Sequence, residues 1–349
     1  MRPHSKKRNW PLRTGIAIVA MLYFVAIFAD FLAPYEHREQ QRKTPSAPVS
    51  SITFTDAQGN FTLRPRVLGY RLADALAQTY ERDETRSAEV AFFARGYTYK
   101  LFGVLETNIH LVGTVGEGED PPKLHLLGTD ALGRDRFSRL VRATRFSLLV
   151  APAGTILACL LGIMIGMISG YSSRFIDSVL MGITDAVLSL PSLIVILAAR
   201  VAFPLELPPF TAAILLIGIF ALTGWSEMAR LTRGLVKETL AMDYILAAKA
   251  TGVKPLRTMT HHVLPNITRP LLTQAMLILP AFLLAEAALS FLGVGLQEPE
   301  PSLGNMLSGA ADIAQLKLQP FLLLAPALVI VAYVFGVRLI GNGLKIDDR

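Results

Sequence analysis

Charge is what this chain has least of. Only 17% of its 349 residues are charged, while 52% are hydrophobic; a soluble domain carries about a quarter charged residues. The deficit is uneven, because charge is missing from blocks of about 20 residues and crowded between them, as a bilayer sorts a sequence. One large soluble core would need amphipathic stripes rather than segments apolar all round, and that class is excluded. Cysteine is nearly absent too. Cys159 stands alone, which rules out an internal disulfide and a cysteine metal cluster. It sits inside an apolar run, where a buried, inert thiol is expected. A phosphate loop of the form G-x-x-x-x-G-K-S/T is also missing.

What is there is basic. The net charge is +7, and with no nucleic-acid recognition motif the excess reads as basic loops kept on the cytoplasmic side of a membrane. The first block pairs Arg2, Lys6, Lys7, Arg8 and Arg13 with an apolar run from Gly15 to Ala33, closed by Asp30 and Pro34. Either a cleaved signal peptide or a retained anchor fits. No small-x-small cleavage pattern ends the run, so an anchor with its N-terminus inside is preferred. Residues 1–34 are thus the tail and first span.

Residues 35–125 differ in character and read as a small α/β insert outside the cytoplasm. Turn signals at Pro45, Pro48, Gly59, Asn60, Gly96 and Gly116 separate strand-like stretches at Ser51–Thr55, Val90–Phe93 and Tyr97–Val115. Leu72–Tyr80 reads as helical. His37, His110 and His125 have no partners at ligand spacing and are expected to be surface or packing residues. Beyond Gly128-Thr129-Asp130, a turn and N-cap, Arg136, Arg139, Arg142 and Arg145 recur every three residues. That spacing predicts a basic amphipathic helix at the membrane surface, its arginines reaching phosphates, although basic residues on the outer side break the charge rule.

Five more spans follow, at Ser147–Gly170, Phe175–Phe203, Phe210–Met228, Asn266–Leu292 and Phe321–Ile340, each able to cross about 30 Å of hydrocarbon. The loop Ala229–Pro265 carries Arg230, Arg233, Lys237, Lys249, Lys254 and Arg257, which marks it cytoplasmic independently of the N-terminus. The expected fold is an all-α polytopic membrane protein of six spans, both termini inside, with residues 126–349 as its main domain.

Three features invite a function. Gly162, Gly166 and Gly170 share a helix face and allow close packing, within the chain or against a second membrane subunit. Asp185 and Glu286 lie deep in spans, Asp177 and Glu227 near span ends. A carboxylate in hydrocarbon faces a partner or a watery path, so the deep pair either lines a translocation path or forms a structural contact. The loop itself favours a helix from Asp243 to Thr251 ended by Gly252, then a second short helix from Pro255 to His262, before Leu264-Pro265 turns the chain back into the membrane. Ala247 and Ala248 leave a face without bulk, and so small a loop cannot bury a core of its own. A partner surface is the simpler explanation.

Leu246-Ala247-Ala248, Gly252 and His262-Val263-Leu264-Pro265 resemble in order and spacing the EAA loop of bacterial ABC importer permeases. Leu246 stands where a glutamate often sits, and His262 replaces an aliphatic residue. Leu127–Asp135 with Ser138-Arg139-Leu140, and Glu286–Gly293 with Pro299, Pro301, Ser302 and Gly304, are similar to the C-type permeases for dipeptides, oligopeptides and nickel. This resemblance covers the first span and residues 126–349; the 35–125 insert is longer than usual. It implies the type I, MetI-like permease fold in a bacterial inner membrane. It also implies partners: a homologous permease, two ATP-binding subunits and an extracytoplasmic solute-binding protein, alongside membrane lipid and without nucleic acid. Asp243, Tyr244, Ala247, Ala248, Gly252, Leu264 and Pro265 then form the contact to the ATPase. ATP and Mg belong to that subunit, and this chain is a transport subunit without catalytic or metal-binding residues.

Two other classes were weighed. An ion-coupled secondary transporter shows two related halves with broken helices, and no internal repeat is present. A membrane-anchored enzyme needs a nucleophile–base pair or a metal cluster in the outer region, where the histidines are scattered.

Overall fold

The computed structural model describes residues 10–55, 61–74, 78–116, 121–309, 316 and 324–346. Arg2, Lys6, Lys7 and Arg8 lie outside them. The chain divides into two compact units, one of Met1–Ala20, Leu148–Leu289 and Ile330–Arg349, the other of Met21–Ser147 and Ser290–Val329.

The first unit is helical. Its elements are the start of α1 (Trp10–Ile27), most of α3 (Arg136–Tyr171), α4 (Arg174–Leu188), α5 (Ser192–Val201), α6 (Pro209–Leu240), α7 (Asp243–Ala250), α8 (Pro255–Arg257), a π-turn (Thr258–Val263), α9 (Leu264–Phe291) and the end of α11 (Ala325–Ile346). Among the described residues five helices are long and apolar enough to cross a membrane, Pro255–Phe291 counting as one, and six if the bent pair α4–α5 is a single span. They expose large apolar side chains, Leu160 and Met164 on α3 and Phe210 and Leu222 on α6 among them, as hydrocarbon-facing helices do.

The expected uninterrupted span Phe175–Phe203 is corrected: α4 and α5 meet at 82°. Pro191 lacks an amide hydrogen and disfavours helix at Leu190, so the rod breaks there. The end of α5 is closed by Arg200, fully buried, which donates to the Pro204 and Leu205 carbonyls at 3.0 and 3.1 Å. The glycine stripe of α3 packs on α6 of the same chain. A Cβ on Gly162 would lie 2.5 Å from the Trp225 carbonyl, and one on Gly166 would lie 2.5 Å from that of Ala229. Of the two readings of that face, packing within the chain holds. The α1 and α11 helices cross as closely, at Gly15 and Gly336.

The second unit holds the short helix α10 (Leu303–Ser308) and an antiparallel sheet in the order β1 (Ile52–Thr55), β2 (Phe61–Asp74), β3 (Thr79–Leu101), β4 (Leu105–Val115). The expected α/β character is corrected, since among the described residues between α2 (Ala29–Leu32) and α3 every regular element is a strand. Leu72 pairs with Tyr80 and Asp74 with Thr79, where a helix was expected. Cross-strand pairing overrode a short helical pattern. Tyr97–Val115 is a hairpin rather than one strand, turning through Phe102 and Gly103, both at positive φ. All three histidines are buried packing residues. His110 lies against the Tyr97 and Tyr99 rings with its Nδ1 3.0 Å from the Asp30 carbonyl, and His125 Nδ1 lies 2.8 Å from Asp135.

The predicted surface helix of arginines is also corrected. Arg136–Arg145 form the first turns of α3 itself, and Arg139, Arg142 and Arg145 pair with carboxylates of the chain. Arg142 and Arg145 both pair with Asp30, which is 6% exposed. Arg139 binds Glu298 at 2.8 Å. Pairing such charges is what makes burying them tolerable. Glu300 is held likewise: hydrogen bonds from His37 and Arg38 pull its carboxyl down to about 2.

Candidate functional site

The site is built between two long helices that enter the loop from either side, α6 and the run Pro255–Phe291. The α6 helix closes at Ala241, and the Ile245 and Leu246 amides donate to the Met242 carbonyl at 3.0 and 3.1 Å to start α7. Asp243 in the first turn complements the helix dipole. At the other end the Val253 amide reaches back to the Ala248 carbonyl, 3.2 Å, and Gly252 takes φ +82°. This is a Schellman end, which needs a left-handed residue just past the helix, and glycine adopts it without a Cβ penalty. The expected helix and its glycine stop are therefore present, one residue shorter than Asp243–Thr251.

Among the described side chains of this helix, one is fully buried and anchors it. Ile245 is fully buried, whereas Tyr244 and Leu246 are about half exposed and Ala247 and Gly252 are exposed. The helix packs against α6 and the π-turn, where Thr258, Met259 and Val263 are buried and Ile267 follows on α9. Asn266 Nδ2 lies 3.5 Å from Thr239 Oγ1 and 3.9 Å from Met242 Sδ, which joins the start of α9 to the end of α6.

The second short helix and the turn at Leu264-Pro265 are corrected. From Pro255 onward the chain is continuously helical, through the π-turn into α9. A proline ring clashes with the carbonyl four residues back in an α-helix, and the wider π-turn ends just before Pro265. Leu264 is half-buried and Pro265 exposed, both directly after the π-turn that α7 packs against. The segment reading missed the π-turn and Ile245. Proline within a helical pattern signalled the first, and nothing but packing reveals the second.

The intramembrane carboxylates separate by environment. Asp185 is exposed and pairs with Arg230, also exposed. Glu286 is fully buried on α9. Asp177, read as an end residue, proves to be a buried hub. It accepts from Arg233 Nε at 2.6 Å, from Ser169 Oγ at 2.6 Å and from Lys237 Nζ at 2.5 Å, and so fastens α4 to the C-terminal half of α6. The Asp177 hub was not legible from sequence, because its cations lie more than fifty positions away.

Comparison with known proteins places this geometry in context. Residues 162–344 match the model of a family described as binding-protein-dependent transport system inner membrane component. The di/tripeptide transport system permease protein DppC of Pseudomonas aeruginosa is 37% identical over 220 residues, 63% of this chain and 70% of that protein. The oligopeptide transport system permease protein OppC of Bacillus subtilis is 35% identical over 225 residues, 64% of this chain and 71% of that protein. The OppC protein of Lactococcus lactis IL1403 is 32% identical over 257 residues, 73% of this chain and 85% of that protein.

Proposed function

The chain belongs to the family of binding-protein-dependent transport system inner membrane components, and from that premise we propose that it is one permease of a peptide-type ABC importer, driven through α7. It is a multi-pass inner-membrane transport subunit and not an enzyme. Peptides, or small solutes handled by the same permease type, are its cargo, as the names of its relatives suggest. A homologous permease completes the pathway, two separate subunits bind ATP and Mg, and an extracytoplasmic protein delivers the cargo. The bent pair α4–α5 counts as one span, giving six crossings with both termini and the Ala229–Pro265 loop in the cytoplasm. In that topology residues 35–125 lie outside.

A single observation carries the coupling assignment: α7 is an exposed helix held by one buried side chain at the junction of two long helices. An exposed face bearing Tyr244, Leu246 and Ala247 suits a groove in a partner, since small residues let the two backbones approach. Nucleotide-driven closure of the ATP-binding subunits moves α7. Ile245 and the π-turn pass that motion to α6 and α9, which are long enough to carry it into the membrane. The path role of Asp185 and Glu286 stays a proposal of the same reading, with buried Glu286 the stronger candidate because a carboxylate at depth needs a functional or structural reason.

The test is co-purification. Solubilised with its proposed partner subunits, the chain should retain the ATP-binding subunits, and Leu246→Asp should release them while leaving the permease pair intact. Association unchanged by this charge would remove the coupling assignment.

A further inference from the structure

A half-open cavity of about 180 Å³ lies in the second unit, lined by Asp130, Arg134, Arg136, Arg139, Glu298 and Asn305 among others. Its charges do not balance. Arg134 is held by Asp130 at 2.7 Å and Glu298 at 2.6 Å. Arg139 is held by the same Glu298 at 2.8 Å, with its Nη1 donating to the Pro299 carbonyl at 3.1 Å. Both carboxylates are thus engaged by two arginines, and among the described residues the third guanidinium makes no ion pair. Arg136 is 5% exposed and its buried Nη1 has no hydrogen-bond partner. A buried cation without a counter-charge is costly, and its cost is removed by an anion that reaches it.

We propose that this cavity binds the carboxylate of a small solute, with Arg136 as its principal ligand. Three features select that chemistry. The deficit is a single negative charge, which a carboxylate supplies and a phosphate dianion overshoots against Asp130 and Glu298. A guanidinium presents paired donors that match a planar carboxylate. The volume admits an acyl end of a few heavy atoms, and Arg136 is too recessed to meet a flat protein surface. In the proposed topology the cavity is extracytoplasmic. A peptide-type solute carrying a terminal carboxylate is therefore the natural occupant, and that identification rests on the transport reading.

The experiment measures thermal stability and calorimetric binding of the full chain in detergent, using N-acetylglycine as probe. N-acetylglycinamide and chloride at matched ionic strength serve as controls. N-acetylglycine is expected to raise the melting temperature in a saturable way, while the amide and chloride leave it unchanged. Arg136→Met should abolish the response and, having lost an unpaired buried charge, melt higher than the parent without ligand. Arg136→Lys covers the case in which the methionine variant fails to fold, and should bind at least tenfold more weakly. An equal response to chloride would reduce the cavity to a general anion site and overturn the proposal. So would a response retained in Arg136→Met. Retention of the ATP-binding subunits, followed in the same variants, separates failure of this site from failure of the transport reading.

Discussion

Gly252 offers a graded test of the loop, because its surroundings and its backbone make opposite demands. A Cβ added there would meet nothing within 4 Å, yet the residue sits at φ +82°. Replacement therefore carries no steric penalty from neighbours, and the whole cost is conformational. For an ordinary L-residue the left-handed region costs about 1–2 kcal/mol, less for asparagine and more for a β-branched side chain. Since about 1.4 kcal/mol is tenfold in a local equilibrium, Gly252→Asn should leave the Schellman end largely formed. Gly252→Ala should cut its population about tenfold, and Gly252→Val further still. The assay is peptide uptake by cells dependent on this importer, normalised to inserted protein. Uptake should follow Gly, Asn, Ala, Val in falling order, with the valine variant inserted and near inactive. The melting temperature of the purified protein should barely move, because the site is exposed. Transport by Gly252→Val equal to the parent, or an order that tracks side-chain bulk instead of φ preference, would refute the reasoning.

Two other predictions concern stability. Gly166→Val drives a side chain into the Ala229 carbonyl and Thr232, and should lower stability by about 1–3 kcal/mol as overpacking does. Gly182→Ala, in open space, should be close to neutral, both read by thermal denaturation in detergent. Glu300 titrates near 2 when folded, below its ordinary 4.5. The depressed value means that its pairing with His37 and Arg38 stabilises fully above about pH 4.5 and is lost as pH falls toward 2. Glu300→Gln should thus cost about 1–2 kcal/mol at neutral pH, and the gap to the parent should close on acidification. A gap independent of pH would contradict the assignment.

Much of the membrane part was legible in sequence, because the bilayer imposes a length and a polarity that need no partner to be read. The runs around α1, α3, α6 and α9 announced themselves, and Gly252 marked the end of α7. What escaped reading depended on distance. Asp30 finds Arg142 and Arg145 more than a hundred positions away, so a row that looked like a lipid-facing surface carries internal ion pairs at Arg139, Arg142 and Arg145. The Leu72–Tyr80 segment had a helical pattern of its own, but β2 and β3 pair across it, and a ladder of long register outweighs a weak local preference. Pro191 was visible, but a break in a span and a kink in one look alike until both helices are placed.

The central claim is that α7 is the surface on which the ATP-binding subunit acts. Cys159 is the only cysteine, so a Cys159→Ala background gives a clean site for attachment. Cysteine placed at Leu246, half exposed on α7, is to be compared with cysteine at Leu328, 67% exposed on α11. Each carries a short thiol-to-amine cross-linker in the assembled importer. The account predicts adducts to the ATP-binding subunit from Leu246→Cys alone, with a yield that changes on adding ATP. A functional complex in which Leu246→Cys gives no such adduct, or no more than Leu328→Cys, would contradict it.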